Sequence, residues 1–250
     1  ILSVGHVKGK NKVFHNVTEL RRLERVRPDF VANVSHELRN PISNIKGYTE
    51  TLLQGAMKEP DTLNEFLEII EQNSERLSAL TNDLLDLAKL ESVNRTTELV
   101  PLKLGSLVER ALTILDKPIK EKSLTVLCDV PESLAEVRCD EGWLLQAFLN
   151  LLDNAIKYTP EKGSIRIQSK ESDESIQIDF CDTGIGIPEK DLPRIFERFY
   201  RVDKSRSREQ GGTGLGLSIV KHVMQAHGGD CRVHSLPGQG STFTLVFPRT

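Results

Sequence analysis

A histidine followed directly by a glutamate, His36-Glu37, with a proline one helical turn further on at Pro41, is the first group in the chain with chemical promise. A carboxylate beside an imidazole can hold one ring nitrogen by hydrogen bond, so that the other keeps its lone pair for attack. Pro41 removes a backbone donor, frees the Glu37 carbonyl and bends a helix just past the histidine. A lone exposed histidine is most often a solvated side chain, so its meaning depends on company. Asn150, Asn154, Lys157 and Tyr158 stand at i, i+4, i+7 and i+8, on one face of a helix. Any two of them could be plain solvent face, but together they offer amide oxygens for Mg2+ and a cation for phosphate, as a metal-bound triphosphate requires. Asp182-Thr183-Gly184-Ile185-Gly186 pairs an acceptor carboxylate, suited to the exocyclic amine of adenine, with glycines that let backbone approach a flat ligand. Gly212-Thr213-Gly214-Leu215-Gly216 opens a helical run, where amides and dipole both favour phosphate oxygens.

These groups need elements to position them. From Val17 to about Gly55, Leu20, Leu23, Phe30, Val34, Leu38, Ile45 and Leu52 recur at helical spacing. His36 lies two positions from both Val34 and Leu38 and is expected to face solvent. Pro28 falls inside this helix and would either kink it or divide it. After a turn at 55–61, a second stripe from Leu63 to Leu87 has heptad-like spacing. Two such helices form an antiparallel hairpin whose stripes stay partly bare, so a second copy should complete a four-helix bundle. A polar stretch, residues 95–102, is expected as linker. Beyond it, β-branched alternation predicts strands over 123–129, 164–169, 175–181 and 241–247, with helices near 104–117, 141–158 and 215–227. The expected fold class is therefore α followed by α/β: a dimeric helical hairpin, then a sandwich with one sheet covered by helices.

The chain has 250 residues, 38% hydrophobic and 28% charged, enough for two unequal domains. A net charge of -3 gives no broad basic field, which argues against nucleic acid as the main ligand. Cys128, Cys139, Cys181 and Cys231 form no C-x-x-C pair and read as reduced thiols. No run of 18 apolar residues is present, so no membrane span is expected in this piece. The chain begins at Ile1 without methionine, and we expect it to be cut from something longer.

Ser35-His36-Glu37-Leu38-Arg39-Asn40-Pro41, with Asp29 to Val34 upstream, resembles the H box of the sensor histidine kinases. The ordered set from Asn150 to Gly216 is similar to the N, G1, F and G2 boxes of the Bergerat-type ATP-binding domain. Phe196-Glu197-Arg198-Phe199-Tyr200-Arg201 stands as the F box. The wording around His36 and Gly47 to Leu53 most resembles the phosphate-regulon sensor kinases, and residues 1–16 look like the end of a PAS sensory domain. The resemblance implies a phosphotransfer and dimerisation domain over 17–94 and a catalytic domain over 103–250. It implies that His36 is the phospho-acceptor, Glu37 the general base, and Asn40, where most members have Thr, an orienter of water for dephosphorylating the partner. ATP would be held by Asn150, Asn154, Lys157, Tyr158, Asp182, Gly184, Gly186, Arg201 and the loop Gly212, Thr213, Gly214, Leu215 and Gly216. Mg2+ would sit on Asn154 with Asn150 assisting, and Arg201 would meet the γ-phosphate beneath a mobile lid.

The implied activity is that of a protein-histidine kinase, with phosphotransfer to an aspartate of a response regulator and phosphatase activity on that regulator. The implied setting is a homodimer on the cytoplasmic side of a bacterial inner membrane. An ATP-driven clamp of the chaperone or topoisomerase type is the rival enzyme, but such clamps carry an acid where Asn150 stands. A non-catalytic scaffold is the other rival, and the intact boxes argue against it. Whether transfer to His36 runs within or between protomers depends on the handedness of the 55–61 turn.

Overall fold

The computed structural model describes residues 17–55, 59–92, 99–203 and 212–249, with side chains from Phe30 onward. The remnant expected at 1–16, residues 56–58 of the expected turn and residues 95–98 of the expected linker lie outside the described residues. Two compact units are present, residues 1–70 and 71–250.

Helix α1 spans Val17–Leu53 and α2 spans Pro60–Glu91. Helix α1 runs unbroken through both Pro28 and Pro41, so Pro28 does not divide it. Pro60 opens α2 at the one helical position where a missing N–H is harmless, with Asp61 beside it in the positive first turn. In the first unit Tyr48 of α1 stands edge-on to Phe66 of α2, ring centroids 4.9 Å apart, which registers the hairpin.

The second unit contains, in order, β1 (Val100–Leu102), α3 (Leu104–Ile114), α4 (Asp116–Glu121), β2 (Thr125–Asp129), β3 (Val137–Cys139) and α5 (Glu141–Tyr158). Then come β4 (Ser164–Glu171), β5 (Ser175–Asp182), α6 (Gly216–Ala226), β6 (Asp230–Leu236) and β7 (Gly240–Pro248). The main sheet has the order β2-β4-β5-β7-β6; β2 and β4 are parallel and the other neighbours antiparallel. Alternation decides its two faces. Ile165, Ile167, Ile176, Ile178, Phe180, Phe243, Leu245 and Phe247 all turn inward to one buried layer. Helices α3, α5 and α6 bury their apolar faces, with Phe148 of α5 edge-on to Phe180 of β5 at 5.2 Å. Helix α5 is capped by Asp140, whose side chain accepts the Trp143 N–H at 3.1 Å.

The expected strands and helices are present, with ends shifted by a few residues. Four elements were not expected: β1, β3, α4 and the edge strand β6. The first two also correct the expected linker, because Val100–Leu102 is not loose chain but a strand paired with Val137–Cys139.

Candidate functional site

Helix α5 faces its polar residues correctly because its apolar ones leave no choice. Leu144, Phe148, Leu151 and Ala155 are buried against the sheet and neighbouring helices. Asn150, Asn154 and Lys157 therefore emerge along the wall of a cavity of roughly 880 Å³, a volume typical of small-molecule sites. The Nδ2 of Asn150 is buried there with no hydrogen-bond partner among the described residues. Gly216 lies against the same amide, and a Cβ on it would sit 3.3 Å from Asn150 Oδ1. The Lys157 ammonium is 2.6 Å from Asp153 one turn earlier, so its charge is already partly balanced.

Asp182 ends β5 at the opposite wall. Its Oδ1 accepts the Gly184 N–H at 2.8 Å and the Ser241 N–H at 3.3 Å, leaving Oδ2 without a partner among the described residues. Burial raises its pKa, and those two N–H groups only partly oppose the rise. Gly184 fits where nothing larger would, since a Cβ would come within 2.6 Å of both Asp182 Oδ1 and the Tyr158 carbonyl. That carbonyl accepts the Ile185 N–H at 3.2 Å, so the end of α5 is stitched to the loop after β5.

The glycine loop closes a third side. Gly214 takes φ +76°, a conformation natural to glycine, and its carbonyl accepts the Phe199 N–H at 2.8 Å. The Thr213 hydroxyl accepts the Leu215 N–H at 3.2 Å and donates to Asp83 of α2 at 2.5 Å. In the F segment, Phe196 stands edge-on to Phe243 at 6.5 Å and Tyr200 donates to Asp191 at 2.7 Å. Arg198 pairs with Glu91 and approaches His222 Nε2 at 3.4 Å, and burial holds both the guanidinium and the imidazole below their usual pKa.

Of the residues singled out by sequence, Asn150, Asn154, Lys157, Tyr158, Asp182, Gly186, Arg201, Gly212, Thr213, Gly214 and Gly216 all line this cavity. Gly184 and Leu215 do not. Gly184 is buried behind Asp182, and Leu215 is part of the core, its amide taken by Thr213. In the first unit His36 and Asn40 are exposed, Glu37 is half-buried and Pro41 is buried. Among the cavity residues that the sequence motifs did not include are two charged ones, Asp83 and Lys122. Neither belongs to a local motif, and only the folded chain brings them to the site. Among the described residues, no cluster of three His, Cys, Asp or Glu could hold a metal, and no helix is long and apolar enough to cross a membrane. The four cysteines are unpaired.

Comparison with known proteins agrees with this geometry. Residues 27–93 match the His Kinase A (phospho-acceptor) domain, and residues 139–250 match the Histidine kinase-, DNA gyrase B-, and HSP90-like ATPase family. The chain is 38% identical to sensor histidine kinase WalK of Bacillus subtilis over 98% of its length. It is 42% identical to sensor-like histidine kinase SenX3 of Mycolicibacterium smegmatis over 92%, and 41% identical to phosphate regulon sensor protein PhoR of Pseudomonas aeruginosa over 93%. It spans 40%, 60% and 52% of those relatives, respectively. Among solved structures, histidine kinase ThkA in complex with response regulator protein TrrA superposes with a TM-score of 0.74 at 25% identity, covering 95% of this chain and 69% of that one. ShkA in complex with AMPPNP gives 0.63 at 28%, covering 88% and 46%. The chain belongs to the sensor histidine kinases of two-component systems.

Proposed function

We propose that this chain is the catalytic core of a two-component sensor that moves the γ-phosphoryl group of ATP to His36 and then to an aspartate of a response regulator. One observation carries the reading. An exposed His36 beside Glu37, in the segment that matches the phospho-acceptor family, shares the chain with a nucleotide-sized cavity in the segment that matches the ATPase family. ThkA, solved with a response regulator, and ShkA, solved with AMPPNP, support the partner and the nucleotide.

In the first step one imidazole nitrogen of His36 forms the bond to phosphorus, the bond to the bridging oxygen breaks, and ADP leaves. Glu37 takes or holds the proton of the other ring nitrogen. Such transfer is largely positioning and charge neutralisation. Asp182 has a partner-free oxygen for the adenine amine, the Gly212–Gly216 loop faces the phosphates, and Arg201 meets the γ-phosphate. The residues fit Mg2+ as an ATP-borne ion: Asn150 and Asn154, whose amide oxygens suit a hard cation, line the wall, and among the described residues no group of three His, Cys, Asp or Glu could hold the metal instead. Asn154, with Asn150 assisting, would hold Mg2+, which supplies charge neutralisation on the phosphates. Asn40, exposed one turn past His36, orients water for dephosphorylation of the regulator.

Residues 17–94 form the phosphotransfer and dimerisation domain in this reading, and 103–250 the catalytic domain. Val31, Ile42 and Leu67 are 63%, 51% and 49% exposed on the hairpin, an apolar surface that a second copy covers in a four-helix bundle. The core works on the cytoplasmic side of a bacterial inner membrane; its bacterial relatives, of which it spans 40%, 60% and 52%, are long enough to carry an anchor outside the matched part.

Incubation with γ-³²P-ATP should give an acid-labile label on the wild type and none on His36→Gln, with nucleotide binding unchanged. Label that persists on the variant would overturn the assignment.

A further inference from the structure

The last turn of α5 presents its carbonyls beside the cavity, and one side chain from elsewhere takes three of them. Lys122, at the turn between α4 and β2, donates from Nζ to the carbonyls of Ile156 at 2.8 Å, Lys157 at 2.9 Å and Thr159 at 3.1 Å. The remaining carbonyl of the turn, that of Tyr158, receives the Ile185 N–H from the loop after Asp182. Lys122 itself is held in place: its carbonyl accepts the Lys162 N–H at 3.0 Å, and Thr125 N–H reaches the Gly163 carbonyl at 2.9 Å. A half-buried ammonium has three donors, and all three are spent on backbone, so none remains for a ligand. Its charge also lies at the negative end of the helix that carries Asn150, Asn154 and Lys157.

We propose that Lys122 is a positioning residue of the nucleotide site. It fixes the end of α5 so that the Tyr158 carbonyl can hold the Asp182–Ile185 loop, where the base is expected, and it does so without touching nucleotide. The proposal rests on the reading of the cavity as an ATP site. Without the ammonium, three carbonyls at a largely enclosed helix end lose their partner, and the wall shared by Tyr158, Gly184 and Asp182 loses its support.

The location gives the proposal a signature. A residue that supports the base end weakens every adenine nucleotide by the same factor, whereas one that touches the γ-phosphate weakens AMPPNP far more than ADP. Lys122→Met should raise the dissociation constants of ADP and AMPPNP alike by about tenfold. It should raise the KM for ATP in autophosphorylation while leaving kcat at saturating ATP within about twofold. Lys122→Arg, which keeps charge and donors, should recover most of the affinity, and Lys122→Gln should fall between. If the Met variant fails to fold, the order of affinities wild type, Arg, Gln carries the same test in folded proteins. Three results overturn the proposal: affinity unchanged in the Met and Gln variants while melting temperature falls, a much larger loss for AMPPNP than for ADP, or a fall in kcat with KM unchanged. Wild-type protein that bound neither nucleotide would instead overturn the reading of the cavity itself.

Discussion

The Asp83 carboxylate of α2 accepts the Thr213 hydroxyl of the glycine loop at 2.5 Å. Burial pushes the Asp83 carboxyl above its ordinary range; the Thr213 hydrogen bond works against the rise, and Asp86 and Asp153 add negative field. A triphosphate entering this cavity brings more negative charge to a wall that already holds a reluctant anion. Asp83→Asn keeps the shape and an acceptor for Thr213 while removing the charge. Its AMPPNP affinity should rise by about threefold to tenfold at low salt, its ADP affinity by less, and the gain should shrink at high salt. Titration calorimetry at two ionic strengths checks this, and an unchanged affinity at low salt counts against it.

Gly184 is a steric gauge of the wall where we propose that the base binds. A methyl group there would lie 2.6 Å from Asp182 Oδ1 and from the Tyr158 carbonyl, and the backbone atoms cannot yield as a flexible side chain would. Gly184→Ala should raise the ADP dissociation constant more than about tenfold and lower stability by about 1–3 kcal/mol, the usual range for overpacking. Fluorescent-nucleotide titration and thermal melting together measure both; full affinity in a folded variant would contradict the placement of the wall.

Asp179 tests the sheet apart from the site. Its side chain is only 5% exposed and accepts hydrogen bonds from Thr244 at 2.7 Å, Lys170 at 3.0 Å and Gln168 at 3.1 Å. Burial raises its pKa, but the donors outweigh burial and the net shift is downward. A depressed carboxylate contributes stability above its unfolded pKa of about 3.9 and loses it as pH falls through the folded value. Asp179→Ala should cost about 2 kcal/mol at pH 7. The gap in melting temperature from wild type should close as pH drops below about 4. Asp83 has the opposite sign: its contribution is full below the unfolded pKa and fades as pH rises, so Asp83→Asn should gain on wild type between acid and neutral pH.

Burial supplies the expectation for the thiols. Cys139 is fully buried with its pKa pushed up to about 11, and Cys231 is pushed up to about 12, in both cases mainly by burial. The thiolate is the reactive form, so at pH 8 neither should alkylate in native protein. Mass spectrometry after a short iodoacetamide pulse checks this; modification of Cys139 at the rate of denatured protein would contradict its burial.

Helix α5 and strands β4, β5 and β7 were legible in the sequence because each has a clean period, 3.6 or 2, with one fully buried face. Strand β6 was not. As an edge strand its exposed residues Asp230, Arg232 and His234 alternate with half-covered Cys231 and Val233 and with Ser235, buried but polar, so its apolar signal is weak. Strands β1 and β3 have three residues each, too few for any period. In the site, the local motifs declared themselves through spacing, since helix and turn geometry convert spacing directly into shared faces. Lys122 and Asp83 act through contacts distant in sequence and had no periodicity to show. Leu215 shows the converse: it sits inside a glycine-rich loop, yet its side chain belongs to the core.

Strand β5 ends at Asp182, and β7 rejoins it in register with Asp182 opposite Ser241, the residue whose N–H also meets the Asp182 carboxylate. The chain leaves the sheet after Asp182, returns to it first at the edge strand β6, and only then enters β7 to bring Ser241 back beside Asp182. The cost of closing a loop grows only with the logarithm of its length, about 0.6 kcal/mol per doubling. The connection between β5 and β6 can therefore change in length without shifting a strand pair. That connection is thus free to diversify in evolution while Asp182 stays anchored in the sheet.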